Sequence, residues 1–294
     1  MTFYIYVRSG INNKLVPLLS LLRIAKKENR KIKCCWGEDA YINKSLFSFL
    51  DLFKNINDIE FINMNEYINV FNNVNNKIYN RDGSDRNRNE IIYKKDPNTI
   101  IVFNKIVHLI SYKEDNVIGN YVPYPRENKE TTQIISELRD IVKDLIPVQE
   151  IQNKINETTN TFKNKNVIGL HVRTTDGGFT DIPYKDVFGF INKLLDEDNN
   201  KDKKVYVSCD NLSLENEIKE TFSNKVLFFS NPFGSNYADK FNRSSSGTIN
   251  AVCEMFILSR CNKFYGTPGS SLSFMVWLLR SDKFLDFWCK NPWN

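Results

Sequence analysis

Three observations predict an α/β protein built from two Rossmann-like halves. Short runs rich in Val, Ile and Phe alternate with stretches at the helical repeat along most of the 294 residues. The first forty residues form a β-loop-α-β unit, the building block of a parallel sheet. The alternation then restarts cleanly after the polar segment 159–165, which divides the chain into halves at 1–155 and 156–294, joined without a long linker and expected to face a cleft. Open α/β sheets take ligands beyond the carboxyl ends of their strands, so residues just after each strand are the candidates for function.

Each element has its own justification. Residues 3–7 alternate as a strand and run into Ser9-Gly10-Ile11-Asn12-Asn13. Leu15, Leu18, Leu19, Leu22 and Ala25 then follow the helical repeat, with Pro17 assigned to the first turn, where a missing N–H costs least. Strand 32–36, helix 44–53 and strands near 59–62 and 99–103 continue the pattern. Residues 72–95 are polar and rich in Asn and Arg, which predicts a surface loop or insertion. Helices are expected over 131–145 and 148–159. In the second half, strands at 167–173, 205–208, 226–229 and 263–265 alternate with helices at 184–195, 214–222, 249–259 and 271–279.

Composition excludes several classes. The chain is 41% hydrophobic and 26% charged, with 40 basic against 35 acidic residues and a net charge of +5, so a packed core is expected and disorder is not. The basic excess is scattered, which argues against a nucleic-acid binder and suits an anionic small ligand. Two histidines and no Cys/His cluster oppose a zinc site. No apolar run approaches the ~20 residues that span a bilayer, and residues 1–8 read as a strand and not a signal peptide. Cys34, Cys35, Cys209, Cys253, Cys261 and Cys289 show no disulfide or CxxC spacing, which predicts reduced thiols in a cytoplasmic protein. The one DxD-like string, 196–198, ends a polar helix, and phosphate-loop, kinase and GxSxG motifs are absent from the sequence.

Five segments could carry chemistry. Strand 167–173 ends in IGLHVRTTDGGFTD, where His171 and Arg173 share one face and Asp176 and Asp181 follow. Arginine offers a planar, permanently charged fork for phosphate oxygens; the alternative is a structural Arg–Asp pair with a satisfied histidine. Glu254 lies in an otherwise apolar helix, where a carboxylate could accept paired hydrogen bonds from guanine N1–H and N2–H₂, or simply face solvent. Ser270 and Ser271 sit between a strand and a helix, a ready anion site or an ordinary N-cap. Gly10 and Asn13 follow the first strand, where a loop could approach a sugar diphosphate or merely turn. Asp210, after strand 205–208, could contact a ribose or cap the next helix.

Together these segments resemble the GDP-fucose-dependent fucosyltransferase superfamily, which includes bacterial nodulation and animal α-1,6-fucosyltransferases and protein O-fucosyltransferases. IGLHVRTTD is similar to the family's strand ending in His-x-Arg followed by Arg-Thr-Asp, with Thr174 in place of the second Arg. AVCEMFILS resembles its helix ending in Leu-Ser, with Glu254 where the family has a guanine-binding Asp. GTPGSSLSF resembles its Ser-Ser phosphate segment, and SGINNKL its Gly-Leu-Gly-Asn-Arg-Leu loop, with Asn12 for the second Gly. Residues 40–130 are unplaced by it. The resemblance implies a GT-B architecture holding GDP-fucose mainly in the C-terminal half, with no cofactor and no metal. It assigns Arg173 to the β-phosphate, His171 and Glu254 to the guanosine end, Asp210 to the ribose, Ser270 and Ser271 to the diphosphate, and Gly10 and Asn13 to donor contacts from the other domain. Asp181 matches the spacing of the catalytic carboxylate and is the expected base, with Arg173 and Asp176 as its catalytic companions. The acceptor would be a glycan or glycoconjugate hydroxyl. Another nucleotide sugar, or a catalytically silent glycan-binding role, would fit the same fold.

Overall fold

The computed structural model describes residues 2–8, 10–37, 47–73, 93–94, 102–103, 109–113, 116–120, 129–163, 165–174, 184–196, 202–241, 245–280, 282 and 285–289. The chain divides into two compact units, Met1–Val148 and Gln149–Asn294. The dividing point expected at 155/156 falls inside a helix, Gln149–Asn160, that packs with the second unit: Arg260 donates to Asn156 Oδ1 at 2.7 Å and to Thr159 Oγ1 at 3.2 Å.

In the first unit, β1 (Thr2–Val7) leads into α1 (Ile11–Lys27), β2 (Lys31–Trp36), α2 (Phe49–Leu52), β3 (Ile59–Ile62) and α3 (Met64–Asn73). Strand β4 (Tyr93–Lys94), β5 (Val102–Phe103), β6 (Leu109–Lys113), β7 (Asn116–Asn120) and α4 (Lys129–Val142) complete it. The main sheet is parallel in the order β3-β2-β1-β5, and β4-β7-β6 form a separate antiparallel sheet. Two expectations change here. The polar stretch 72–95 was expected to be a loop, but α3 runs to Asn73 and β4 occupies 93–94, while 74–92 lie outside the described residues. Helix α1 begins at Ile11, so Pro17 is in its interior and not its first turn. Asn12, read as a loop residue, is buried in the helix, as is Lys14. Lys14 Nζ donates to the Gly37 carbonyl at 2.8 Å and sits 5.1 Å over the Trp36 ring. Pro17 contributes no N–H to the helix ladder.

In the second unit, α5 (Gln149–Asn160) precedes β8 (Asn166–Val172), α6 (Tyr184–Asp196), β9 (Lys203–Cys209) and α7 (Leu212–Phe222). Next come β10 (Val226–Leu227), a 3₁₀ turn at Tyr237–Phe241, α8 (Ser245–Ser259), β11 (Lys263–Gly266), α9 (Ser271–Leu279) and β12 (Asp286–Phe287). All five strands are parallel, in the order β10-β9-β8-β11-β12. Renumbered within the unit, that is the doubly wound order 3-2-1-4-5, whose direction reverses between β8 and β11. Ile168, Leu170 and Val172 pack with Val187, Ile191 and Leu194 of α6 and Leu214 and Ile218 of α7. The alternate face takes α8 and α9: a Cβ at Gly169 would stand 3.1 Å from Cys261 Sγ and Leu258. α9 is apolar almost throughout and buried over Ser273–Leu278, as a helix within a core must be. Among the described residues, no helix is long and apolar enough to cross a membrane.

Candidate functional site

The most connected polar group lies at the carboxyl ends of β8 and β11, where the strand order reverses. The backbone ladder between them stops at Tyr265 opposite Leu170. Beyond that point the Thr267 side chain takes over. Its hydroxyl donates to the His171 carbonyl at 2.7 Å and accepts from Arg173 N–H at 3.1 Å and Trp288 Nε1–H at 2.9 Å. One hydroxyl thus satisfies its donor and both acceptor positions while tying together β8, β11 and the chain after β12. The strand order reverses here, which is where doubly wound sheets take their ligands.

His171 projects from β8 onto α9. Its Nδ1 is 2.8 Å from Ser273 Oγ, which also accepts from Thr267 N–H at 2.9 Å. Ser273 thereby ties the imidazole to the first residue after β11, the direction of the Nδ1–Oγ hydrogen bond following the tautomer. Burial pushes the histidine down to about 3, with the Arg173 charge adding to the effect and Asp210 opposing it, so it is neutral at physiological pH. The close approach of β11 to α9 explains Gly266: a Cβ there would meet the Ser273 side chain at 2.8 Å.

Arg173 follows β8 and is half-buried, next to Thr174. Thr174, which stands where the resembled family has its second arginine, is buried and directed at Asp210: its N–H donates to Asp210 Oδ1 at 2.8 Å and its hydroxyl lies 3.3 Å from the same oxygen. Asp210 therefore holds the loops after β8 and β9 together. It does not cap α7; that role belongs to Asn211, whose Oδ1 accepts from Leu214 N–H at 3.1 Å. Ser270 is the residue before α9 and is buried, but its side chain makes no capping bond. The ordinary N-cap reading of that serine is thereby removed. Ser271 opens the helix, half-buried.

Glu254 is buried in α8 and is not a solvent-facing helix residue. Its Oε1 is shielded from solvent, makes no hydrogen bond and lies 3.5 Å from Lys240 Nζ in the 3₁₀ turn. Lys240 is anchored in turn on the fully buried Glu215 of α7, at 2.6 Å from its Oε2. Tyr237 donates a short hydrogen bond to Glu215 Oε1, and Lys219 Nζ lies 2.6 Å from that oxygen. Burial raises the Glu254 carboxyl above the usual range; Lys240 and the Ser208 hydroxyl counter this, and Glu215 reinforces it.

The remaining candidates are not part of this group. Asp176 and Asp181 lie outside the described residues. Gly10 and Asn13 are in the first unit, at the start of α1. A Cβ at Gly10 would meet nothing within 4 Å, and its φ of −60° is open to any residue, so the local backbone imposes no glycine there. Among the described residues no group of three or more His, Cys, Asp or Glu side chains could hold a metal ion. The sequence reading missed Thr267, Ser273, Trp288, Ser208 and the Lys240–Glu215 pair. A signal was present for Ser273, a hydroxyl in the apolar run of α9, and for Thr267, directly after its strand.

The fold is shared with solved fucosyltransferase structures. Over 95% of the chain and 93% of theirs, the structure is similar to a NodZ α-1,6-fucosyltransferase soaked with GDP-fucose, with a TM-score of 0.64 and 15% identity. Fucosyltransferase NodZ from Bradyrhizobium gives a TM-score of 0.63 at 16% identity, covering 95% of this chain and 94% of that one. A point mutant of Arabidopsis thaliana FUT1 in complex with GDP gives 0.53 at 12% identity, covering 96% and 71%. No protein-family model and no curated protein matches the sequence.

Proposed function

We propose that this protein is a metal-independent, inverting fucosyltransferase that moves fucose from GDP-fucose to a hydroxyl of a glycan or glycoconjugate. The observation that carries the reading is the group at the carboxyl ends of β8 and β11: Arg173, the neutral His171 and the N-terminus of α9, joined through Thr267, in a fold shared with a NodZ enzyme soaked with GDP-fucose. When fucose leaves, negative charge grows on the β-phosphate. Arg173 supplies a fixed cation, and the first amides of α9 with Ser270 and Ser271 supply neutral donors at the positive end of a helix dipole. Preorganised in this way, they stabilise the leaving diphosphate without a metal. His171 and Glu254 would meet the nucleoside, and the Asp210 carboxylate the ribose. Displacement from the opposite face needs a base for the acceptor hydroxyl; the resemblance gives that role to Asp181, with Asp176 beside it. Six free cysteines, five of them buried, support a reducing, cytoplasmic setting.

The test is turnover of GDP-fucose in EDTA. The wild-type chain is expected to release GDP, Arg173→Ala to lose at least a hundredfold while remaining folded, and Asp181→Asn to lose transfer but retain GDP binding. Undiminished turnover by Arg173→Ala would overturn the assignment. A second reading, the same fold serving another nucleotide sugar, has one observation in its favour: Oε1 of Glu254 faces Lys240, so that oxygen is not presented to a base. Stabilisation by UDP or dTDP in preference to GDP, measured by thermal shift, would select it.

A further inference from the structure

The buried charges around Glu254 are unexplained by packing. Two carboxylates, Glu215 and Glu254, and one ammonium, Lys240, are taken out of water together, and such a group is costly unless each charge is held. Glu215 is fully held, by Lys240 at 2.6 Å, Lys219 at 2.6 Å and the Tyr237 hydroxyl. Glu254 is held less tightly: Lys240 Nζ is 3.5 Å from Oε1, which makes no hydrogen bond, and the Ser208 hydroxyl bonds the carboxylate. Lys240 is therefore seated on Glu215 and directed at Glu254, the one cation at ion-pair distance from it among the described residues.

We propose that Lys240 is a positioning residue for base recognition: fixed by Glu215, it keeps Glu254 a charged acceptor with Oε1 turned inward, so that the carboxylate meets the purine edge through its other oxygen. This rests on the functional reading above, in which Glu254 meets the guanine. It adds that base recognition runs through one acceptor oxygen set by a lysine on a neighbouring turn.

The surroundings of Glu254 decide the pH behaviour. The 3₁₀ turn brings Lys240 and Tyr237, and α7 brings Glu215 and Lys219. From β9 come Tyr206, Cys209 and the Ser208 hydroxyl. Its own helix carries Cys253, which Lys154 of α5 also influences; β8 carries the neutral His171, and α9 has no ionisable side chain. Lys240 and Ser208 favour the carboxylate form; burial and Glu215 oppose it. Removing the ammonium therefore moves Glu254 towards the protonated acid, which has lost the charge of the acceptor.

Calorimetric titration of GDP into the full chain between pH 5.5 and 9 tests this. For Lys240→Met, the pH at which GDP affinity falls is expected to rise by at least one unit. That gives about tenfold weaker binding below it and near wild-type binding at pH 9. The paired variant Glu215→Gln/Lys240→Met, which removes both charges and serves if the single variant fails to fold, is expected to shift in the same direction by less, because Glu215 opposes Lys240. Unshifted pH profiles in folded variants, or a loss of affinity equal at every pH, would overturn the proposal. Glu254→Gln separates the two levels of inference. If it binds GDP as wild type does, Glu254 does not read the base and the inference fails alone; if the wild-type chain binds no GDP, the functional reading fails.

Discussion

At the scale of single residues, the site depends on groups whose polar atoms are spent on the protein before any ligand arrives. Thr267 uses its whole hydrogen-bonding capacity where the ladder between β8 and β11 ends, and Ser273 holds the imidazole of His171 at Nδ1. The histidine's buried, neutral state has a thermodynamic consequence. Its folded value, about 3, lies below the ordinary value of 6.5, so the unfolded chain binds more protons between these limits. The stability associated with the neutral form is present above pH 6.5 and is lost as pH falls towards 3. From pH 7 to pH 5 this one group costs about 2 kcal/mol. Chemical denaturation of wild type and His171→Gln at both pH values checks it: the variant is expected to lose less stability than wild type across the interval by about that amount.

Secondary elements bring these residues together through their ends. Arg280 follows α9 and donates to the carbonyls of Cys261, at the end of α8, and of Asn262 at 3.1 Å, which locks the turn entering β11. Asn211 caps α7, and its neighbour Asp210 clasps Thr174. Asn211→Ala is expected to destabilise the protein by about 1 kcal/mol, the usual value of an N-cap, without altering GDP affinity; a denaturant midpoint with a parallel binding titration measures both. The elements differed in how readable they were. Strands β8, β9 and β11 stood out because strands buried on both faces are continuous apolar runs, and His171 and Arg173 stood out by interrupting one. The hairpin of β6 and β7 was missed because its ISYK and NVIGN segments are short and half polar, with no strict alternation. The start of α1 was misjudged because Asn12 and Asn13 look like a turn, although Asn12 is buried. Thr267 and Lys240 were missed for a different reason. Their partners lie 96 and 25 residues away or at comparable distances, and no periodicity reports a side chain that replaces a backbone bond.

At the scale of the whole molecule, each unit carries its own parallel sheet, and the second carries the doubly wound order. The net charge of +5 explains little about an anionic ligand; the proposed site relies on one cation, Arg173, whose N–H is tied to Thr267 in the segment that leads into α9. In the proposed reading, a diphosphate at the N-terminus of α9 leaves the nucleoside to His171 and Glu254. The central claim is that the crevice between the carboxyl ends of β8 and β11 holds the diphosphate of a guanine nucleotide. A crystal structure with GDP tests it most directly. The β-phosphate is expected within hydrogen-bonding distance of the Arg173 guanidinium and the first amides of α9. GDP bound elsewhere on the chain, or no bound nucleotide at millimolar GDP, would contradict it.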